Sequence, residues 1–274
     1  MLHFGHLALV VLAGTCVLSG AVASAAPEGL NGIREIQMNT SGRLTVVQTS
    51  AEEGIEVLGA PEVRETVTWQ QLGGTLIIDA LESGYTALPA AMPEIRVTVK
   101  DLRAIEVKHH GRVQVEGLQS PKLSLRIQGD GQVYLANTRV ERLGISIGGQ
   151  GRVTLDGFSG ERLRGELNGQ GQISARALDV DHVSLRIAGH GAANLEGRSV
   201  SKHVRIEGHG ALAATDLACN ESSLSIEGHG RAMVWTEGAL NLDVQHHGSV
   251  QYRGAPVVLS ARETSAVSEL VGGV

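Results

Sequence analysis

Aromatic residues are scarce: two Phe, two Trp and three Tyr in 274 positions. So few rings leave little for base stacking or a sugar-stacking groove. Lys and Arg nowhere form a block, and the formal net charge is −6, so nucleic acid is not the expected partner. Proline is ordinary at six residues, and the 36 glycines follow no Gly-X-Y period, which excludes collagen. A hydrophobic content of 42%, spread along the chain, argues against disorder. Helical i, i+3, i+4 stripes are missing from the repeat-bearing part. Beyond residue 23 there is no apolar run of the ~20 residues a spanning helix needs.

The one long apolar stretch is residues 7–23, followed by Ala23-Ser24-Ala25 and Ala26-Pro27. An uncharged core before small residues is the pattern of a secretory signal peptide, here residues 1–25. Its short n-region carries histidines in place of Lys or Arg, which keeps a retained N-terminal anchor open as the alternative. A lipoprotein signal at Cys16 is disfavoured by Thr15 directly before it. The expected destination is the periplasm or the outer surface of a bacterium, with no membrane span after cleavage. Cys219 is the only cysteine beyond the signal, so no intramolecular disulfide is expected there even in an oxidising compartment. Following Leu217 and Ala218, it reads as a small buried hydrophobe.

What the chain does have is a repeat. The windows VKHHGRVQV from Val107, IQGDGQVYL from Ile127, IGGQGRVTL from Ile147 and LNGQGQISA from Leu167 share one pattern. IAGHGAANL from Ile187, IEGHGALAA from Ile206, IEGHGRAMV from Ile226 and VQHHGSVQY from Val244 continue it. The last glycine of each copy is Gly111, Gly131, Gly151, Gly171, Gly191, Gly210, Gly230 and Gly248, at spacings of 20, 20, 20, 20, 19, 20 and 18. Within a copy the period is two: Leu123, Leu125, Ile127, Val133 and Leu135 alternate with polar neighbours. Extending that alternation predicts Gly129 and Gly131 inward and Asp130 outward. Segments such as Ala136-Asn137-Thr138 and residues 156–160 read as turns.

A 20-residue unit of short strands cannot bury an apolar face alone, but stacked on its neighbours it makes a continuous core. The expected fold is therefore all-β, a parallel β-helix (solenoid) with one copy per coil, eight coils spanning ~34 Å. Propeller blades run longer and carry aromatic signatures absent here. The regular coils cover residues 107–256. Residues 26–106 read as irregular capping coils, with Asn39 to Val46 a degraded copy and residues 83–93 a turn-rich excursion. Residues 257–274 read as a closing strand and a tail.

Degenerate strands, then an alternating strand leading to Leu102 and Ile105, then tandem Gly-x-Gly coils closing on Tyr252-Arg253-Gly254-Ala255-Pro256, carry a resemblance. Over roughly residues 33–256 the chain resembles the head GIN domain family of auto-transporter adhesins. The resemblance implies an exported, envelope-associated β-helical domain, with no catalytic residue to carry over. That family usually places Ser between the glycines and often Asp after them. Here the slot holds His, Asp or Gln.

Those middle residues are His110, Asp130, Gln150, Gln170, His190, His209, His229 and His247, with His109 and His246 also replacing the first glycine of the outermost copies. Seven of the nine histidines beyond the signal fall on these sixteen positions, where random placement would put fewer than one. Stacking of like side chains on successive coils is one cause. A second is a metal site, in which His190, His209, His229 and His247 would share Zn, Cu or Ni with Glu207 and Glu227 as outer partners. Parallel imidazoles are ill-placed to close a tetrahedral shell. A third is a pH-responsive strip, with spread, coupled titration and positive charge below about pH 6.

Some β-helices cleave or eliminate polysaccharides, which needs convergent carboxylates or a base beside Ca²⁺. The acidic residues here are scattered, and alternating Asp179 and Asp181 read as solvated. The Gly-x-Gly units precede neither a helix pattern nor Gly-Lys-Ser/Thr. A polysaccharide-acting enzyme is the weaker alternative. The expected role is a non-catalytic surface-binding module for an envelope or cell-surface polymer or protein. Trp69 and Trp235 stand apart and read as packed.

Overall fold

A computed structural model of the chain describes residues 30–80, 92–263 and 266–269. The signal-like segment, most of the excursion at 83–93 and the last residues of the tail lie outside the described residues. Nearly everything described is strand, wound into a parallel β-solenoid of about 8 turns with coils roughly 20 residues apart, as the repeat predicts. The first strands are β1 (Glu35–Met38), β2 (Arg43–Gln48) and β3 (Gly54–Leu58), then the short helix α1 (Pro61–Arg64). β4 (Val67–Leu72), β5 (Thr75–Ala80), β6 (Glu94–Val99), β7 (Ala104–His109), β8 (Arg112–Glu116) and β9 (Gln119–Gly129) follow. Five long strands each make a coil: β10 (Gln132–Gly149), β11 (Arg152–Gly169), β12 (Gln172–Gly189), β13 (Ala192–Gly208) and β14 (Ala211–Gly228). β15 (Arg231–Trp235), β16 (Ala239–His246), β17 (Ser249–Arg253), β18 (Val257–Glu263) and β19 (Ala266–Glu269) complete the chain order.

Register makes the stacking explicit. Val133 pairs with Val153, Val153 with Ile173, and Ile173 with Ala193. A second inward row runs Val107, Ile127, Ile147, Leu167, Ile187, Ile206, Ile226 and Val244, all buried. Each apolar side chain thus meets its equivalent above and below, and the coil-to-coil hydrogen bonds space them. Burying a large aliphatic side chain in this way contributes about 1.5–3 kcal/mol.

Two details of the regular coils differ from the sequence reading. The segments read as turns stay in the parallel ladder: β10 runs unbroken through Ala136 and Thr138, and only Asn137 takes a positive φ, of 48°. A bend with one left-handed residue suffices to turn the coil. Gly129, expected inward with Gly131, is instead half-buried with φ 105°, and a Cβ there would lie 3.2 Å from the His109 carbonyl oxygen. Such a φ lies beyond the left-handed region open to L-residues. His109 and His246 replace this glycine in the outermost copies, and there the backbone relaxes to 65° and 63°, which histidine tolerates.

The N-terminal end departs from chain order. β1 lies between β5 and β7, and β2 between β6 and β8, all parallel. The first coil in sequence is therefore the second in space. The outer edge is closed by antiparallel strands, β3 on β6 and β4 on β5. Glu53, 4% exposed, secures this end: its carboxylate accepts the backbone N–H groups of Gly32, Ile33 and Lys100.

A lysine interrupts one of the inward rows. Lys202, 2% exposed, follows Leu163 and Val183 in an inward row and precedes Ser222 and Leu240. Its Nζ donates to the Trp235 carbonyl at 2.6 Å, and burial pushes its pKa down to about 8, against a smaller opposing influence of Cys219. Ser222 and Thr236 share a 2.6 Å hydrogen bond nearby. Cys219 is buried as expected, but it also donates its S–H to the Glu221 carbonyl at 2.9 Å. Trp69, read as packed, is 36% exposed on the edge strand β4, and Trp235 is half-buried with the Arg253 guanidinium 4.6 Å above its ring.

Candidate functional site

The junction between successive coils is a two-residue link, and it fixes where the middle residue points. The N–H of that residue donates to a carbonyl one coil back, Gln170 to Gly149 at 2.9 Å and His209 to Gly189 at 2.8 Å among them. The glycine that follows faces the core. A Cβ on Gly151 would lie 2.5 Å from Cγ2 of Ile127, so only glycine fits beneath the link. With the glycine inward and the backbone N–H tied along the axis, the middle side chain must project outward. All eight candidates, His110, Asp130, Gln150, Gln170, His190, His209, His229 and His247, are exposed, and all eight glycines after them are buried.

Four imidazoles stack in sequence. Ring centroids lie 4.9 Å apart for His190 and His209, 5.0 Å for His209 and His229, and 5.0 Å for His229 and His247. The rings tilt progressively, by 3°, 11° and 28°. At the other end His110 Nδ1 and Asp130 Oδ2 are 3.5 Å apart. Ser41 extends the row by one coil, since Arg112 N–H donates to Gly42 O just as Gln132 N–H donates to Gly111 O.

Among the described residues no group of three or more His, Cys, Asp or Glu is placed to hold a metal ion. Stacked rings direct their nitrogens alongside one another and not toward a common point. Nor are the expected carboxylate partners available. Glu207 is bound by Arg186 at 2.7 Å and by Arg205 at 2.5 Å, and those two guanidinium groups hold its carboxyl below the usual range. Glu227 lies 3.6 Å from Arg205. The two carboxylate oxygens of Asp179 accept from Nε and Nη2 of Arg198, each at 2.7 Å, so this carboxylate is ion-paired with an arginine.

Two residues along from the middle position lies a second outward row that the sequence reading passed over. Its members pair in the order Arg43, Arg112, Gln132, Arg152 and Gln172, with Glu94 preceding Arg43. Next to it, in the same registers, run Thr45, Gln114, Tyr134 and Thr154. Its signal in the sequence is the residue that follows each Gly-x-Gly.

The family model described as "Putative auto-transporter adhesin, head GIN domain" matches residues 33–193 and 144–256, and together these matches span most of the chain. The chain belongs to the head GIN domain family. Among solved structures, an adhesin so described from Parabacteroides distasonis is similar at a TM-score of 0.66 and 19% identity, over 89% of this chain and 95% of that one. One from Parabacteroides merdae gives 0.64 and 16%, with the same coverage. A protein described as lipid binding, also from Parabacteroides distasonis, gives 0.60 and 17%, over 86% and 89%. At such identities the likeness is one of fold. No curated protein sequence matches significantly. Among the described residues of this head GIN domain no helix is long and apolar enough to cross a membrane.

Proposed function

We propose that this head GIN domain is an exported, non-catalytic adhesin-like module whose Gly-x-Gly face meets an envelope or cell-surface polymer or protein. In this reading residues 1–25 direct export. The observation that carries it is the straight outward row from His110 to His247, exposed at every coil and held in line by backbone hydrogen bonds. A rigid row with one functional group per coil suits an extended partner, because each coil adds one more equivalent contact. The family description and the adhesin-like neighbours support the same reading. Among the described residues the carboxylates of Asp179 and Glu207 are held by arginines, which fits the same reading.

Full-length protein on a glycan array and on bacterial cell surfaces tests this. Binding should occur and should fall at least tenfold when His190, His209, His229 and His247 are all changed to Ser. Unchanged binding in that variant would reject the four histidines as the contact, and no binding in the parent would reject the surface-binding reading.

A further inference from the structure

We infer that the outward row Arg43, Arg112 and Arg152, with Tyr134 beside it, is the contact site for a carboxylate-bearing polysaccharide chain lying along the solenoid axis. This rests on the surface-binding reading and names the ligand class.

The three arginines are exposed, and none is in an ion pair among the described residues. Much of the other surface guanidinium is neutralised: Arg103 by Asp101, Arg164 by Glu166, Arg186 by Glu207 and Arg198 by Asp179. Together with Gln132, Tyr134 and Thr154 the three line an open groove of ≈ 440 Å³. Register sets their spacing. Arg43 and Arg112 sit on adjacent coils, about 4.8 Å apart in the backbone, and Arg152 lies two coils beyond Arg112, about 10 Å on. A pyranose chain advances by a comparable step per sugar, so the first, second and fourth acidic sugars of a bound stretch meet guanidinium forks and the third meets Gln132.

The chemistry favours carboxylate. A guanidinium presents paired N–H donors that match the two oxygens of a uronate, which gives direction as well as charge. Gln132 and Thr154 offer hydrogen bonds to sugar hydroxyls. Tyr134 is 36% exposed, and its hydroxyl donates to Asp156 Oδ2 at 3.2 Å, which fixes the ring at the groove as a platform for a sugar face. Carboxylates border the strip: Glu94 at the end of the Arg43 row, and Glu116 and Asp156 on the far side of Tyr134. They confine an anion to a narrow lane, which suits one single chain and opposes a broad polyanion such as duplex nucleic acid.

The test uses full-length protein, with polygalacturonate and its methyl ester as paired probes and phosphatidylglycerol vesicles as a third. The substitutions R112A/R152A remove two of the three arginines, while R139A/R142A remove two exposed arginines from another stretch of the coil between them. Polygalacturonate should bind, more weakly as salt is raised, with the ester at least about tenfold weaker. R112A/R152A should lose a further tenfold or more and R139A/R142A should bind like the parent, with circular dichroism unchanged in both. Equal loss in the two variants would overturn the site, since charge alone would then suffice. Binding to vesicles but not to polygalacturonate would overturn the ligand class. Binding of neutral glycans that depends on the histidines would overturn this inference and leave the surface-binding reading standing. Binding to no glycan, vesicle or cell surface would remove both.

Discussion

Lys202 shows what one residue does to this core. Counting back by twos from Ile206 and Val204 places position 202 inward, yet a lysine there reads in sequence as an outward charge. The register overrides the side chain: Lys202 pairs with Val183 on one side and Ser222 on the other, and its stem lies where its neighbours bury aliphatic groups. Burial lowers its folded pKa to about 8 from the ordinary 10.5. Between those values the unfolded chain holds more protons than the folded one, so stability rises with pH across that window. Below it the ammonium costs the fold on the order of 3 kcal/mol. The substitution Lys202→Met keeps the stem and removes the charge, at the expense of the hydrogen bond to the Trp235 carbonyl. It should raise stability at pH 7 by about 1–3 kcal/mol, and the gain should shrink as pH rises from 8 toward 10.5, because the folded lysine is then neutral and the unfolded one is losing its proton. Urea unfolding midpoints at pH 7 and pH 10.5 measure this. An equal gain at both values, or a loss at pH 7, would show that the ammonium is not the cause. Ser222, Thr236 and Cys219 close the polar patch around it; burial of Cys219 is legible in the sequence, whereas Ser222 and Thr236 carry no signal that sets them apart from surface residues.

The coil is the element, and its length was almost wholly legible. Spacings of 20 between glycines become single 18-residue strands plus a two-residue link. The shorter spacing of 19 between Gly191 and Gly210 is also accounted for. Where β12 uses three steps from Ala175 to Leu178, β13 uses two, from Leu195 to Gly197, so the missing residue falls at a corner. The corners themselves were misread because Asn, Gly and Asp suggest chain reversal. Here a single positive φ, at Asn137, Gly157 or Ala177, bends the strand while pairing continues on both sides. This asymmetry between corner and strand has a consequence for insertions. One residue added between Glu196 and Gly197 restores the common coil length and should cost less than about 1 kcal/mol. One residue added between Val204 and Arg205 would turn the row of Val204 and Ile206 out of the core against its neighbours, because the side-chain period is two. That variant should lose several kcal/mol, enough to unfold or reshape the coil. Thermal melts of the two insertions decide the matter, and equal destabilisation would mean that corners and strands are constrained alike.

At the scale of the whole molecule, a solenoid has no centre: each coil is stabilised by two neighbours, so the open ends are where the fold is vulnerable. The parallel order from Val107 to Val244 follows from the repeat, but the N-terminal order does not. β1 and β2 have the alternation of an end coil, and nothing in their residues announces that β5 and β6 will pack outside them. That arrangement rests on pairing between segments some 40 to 50 positions apart, such as Ile36 with Leu76 and Leu44 with Ile95, which local pattern cannot reveal. Its purpose is visible in what comes last. β3 and β4 run antiparallel to the stack, so the outermost strands offer a register unlike that of another coil, and their faces carry Glu56, Gln70 and Gln71. An edge finished this way is a poor template for a second solenoid, whereas a bare parallel coil with Val and Ile rows is a good one. Replacing residues 54–72 with a Gly/Ser linker of equal length should therefore leave the β signal in circular dichroism largely intact while converting monodisperse protein into end-to-end assemblies. Light scattering should rise with protein concentration and thioflavin fluorescence with time. A linker variant that stays monodisperse would show that the edge is protected by something other than its antiparallel strands. One that loses its β signal outright would show that these strands hold the first coils together, beyond shielding them.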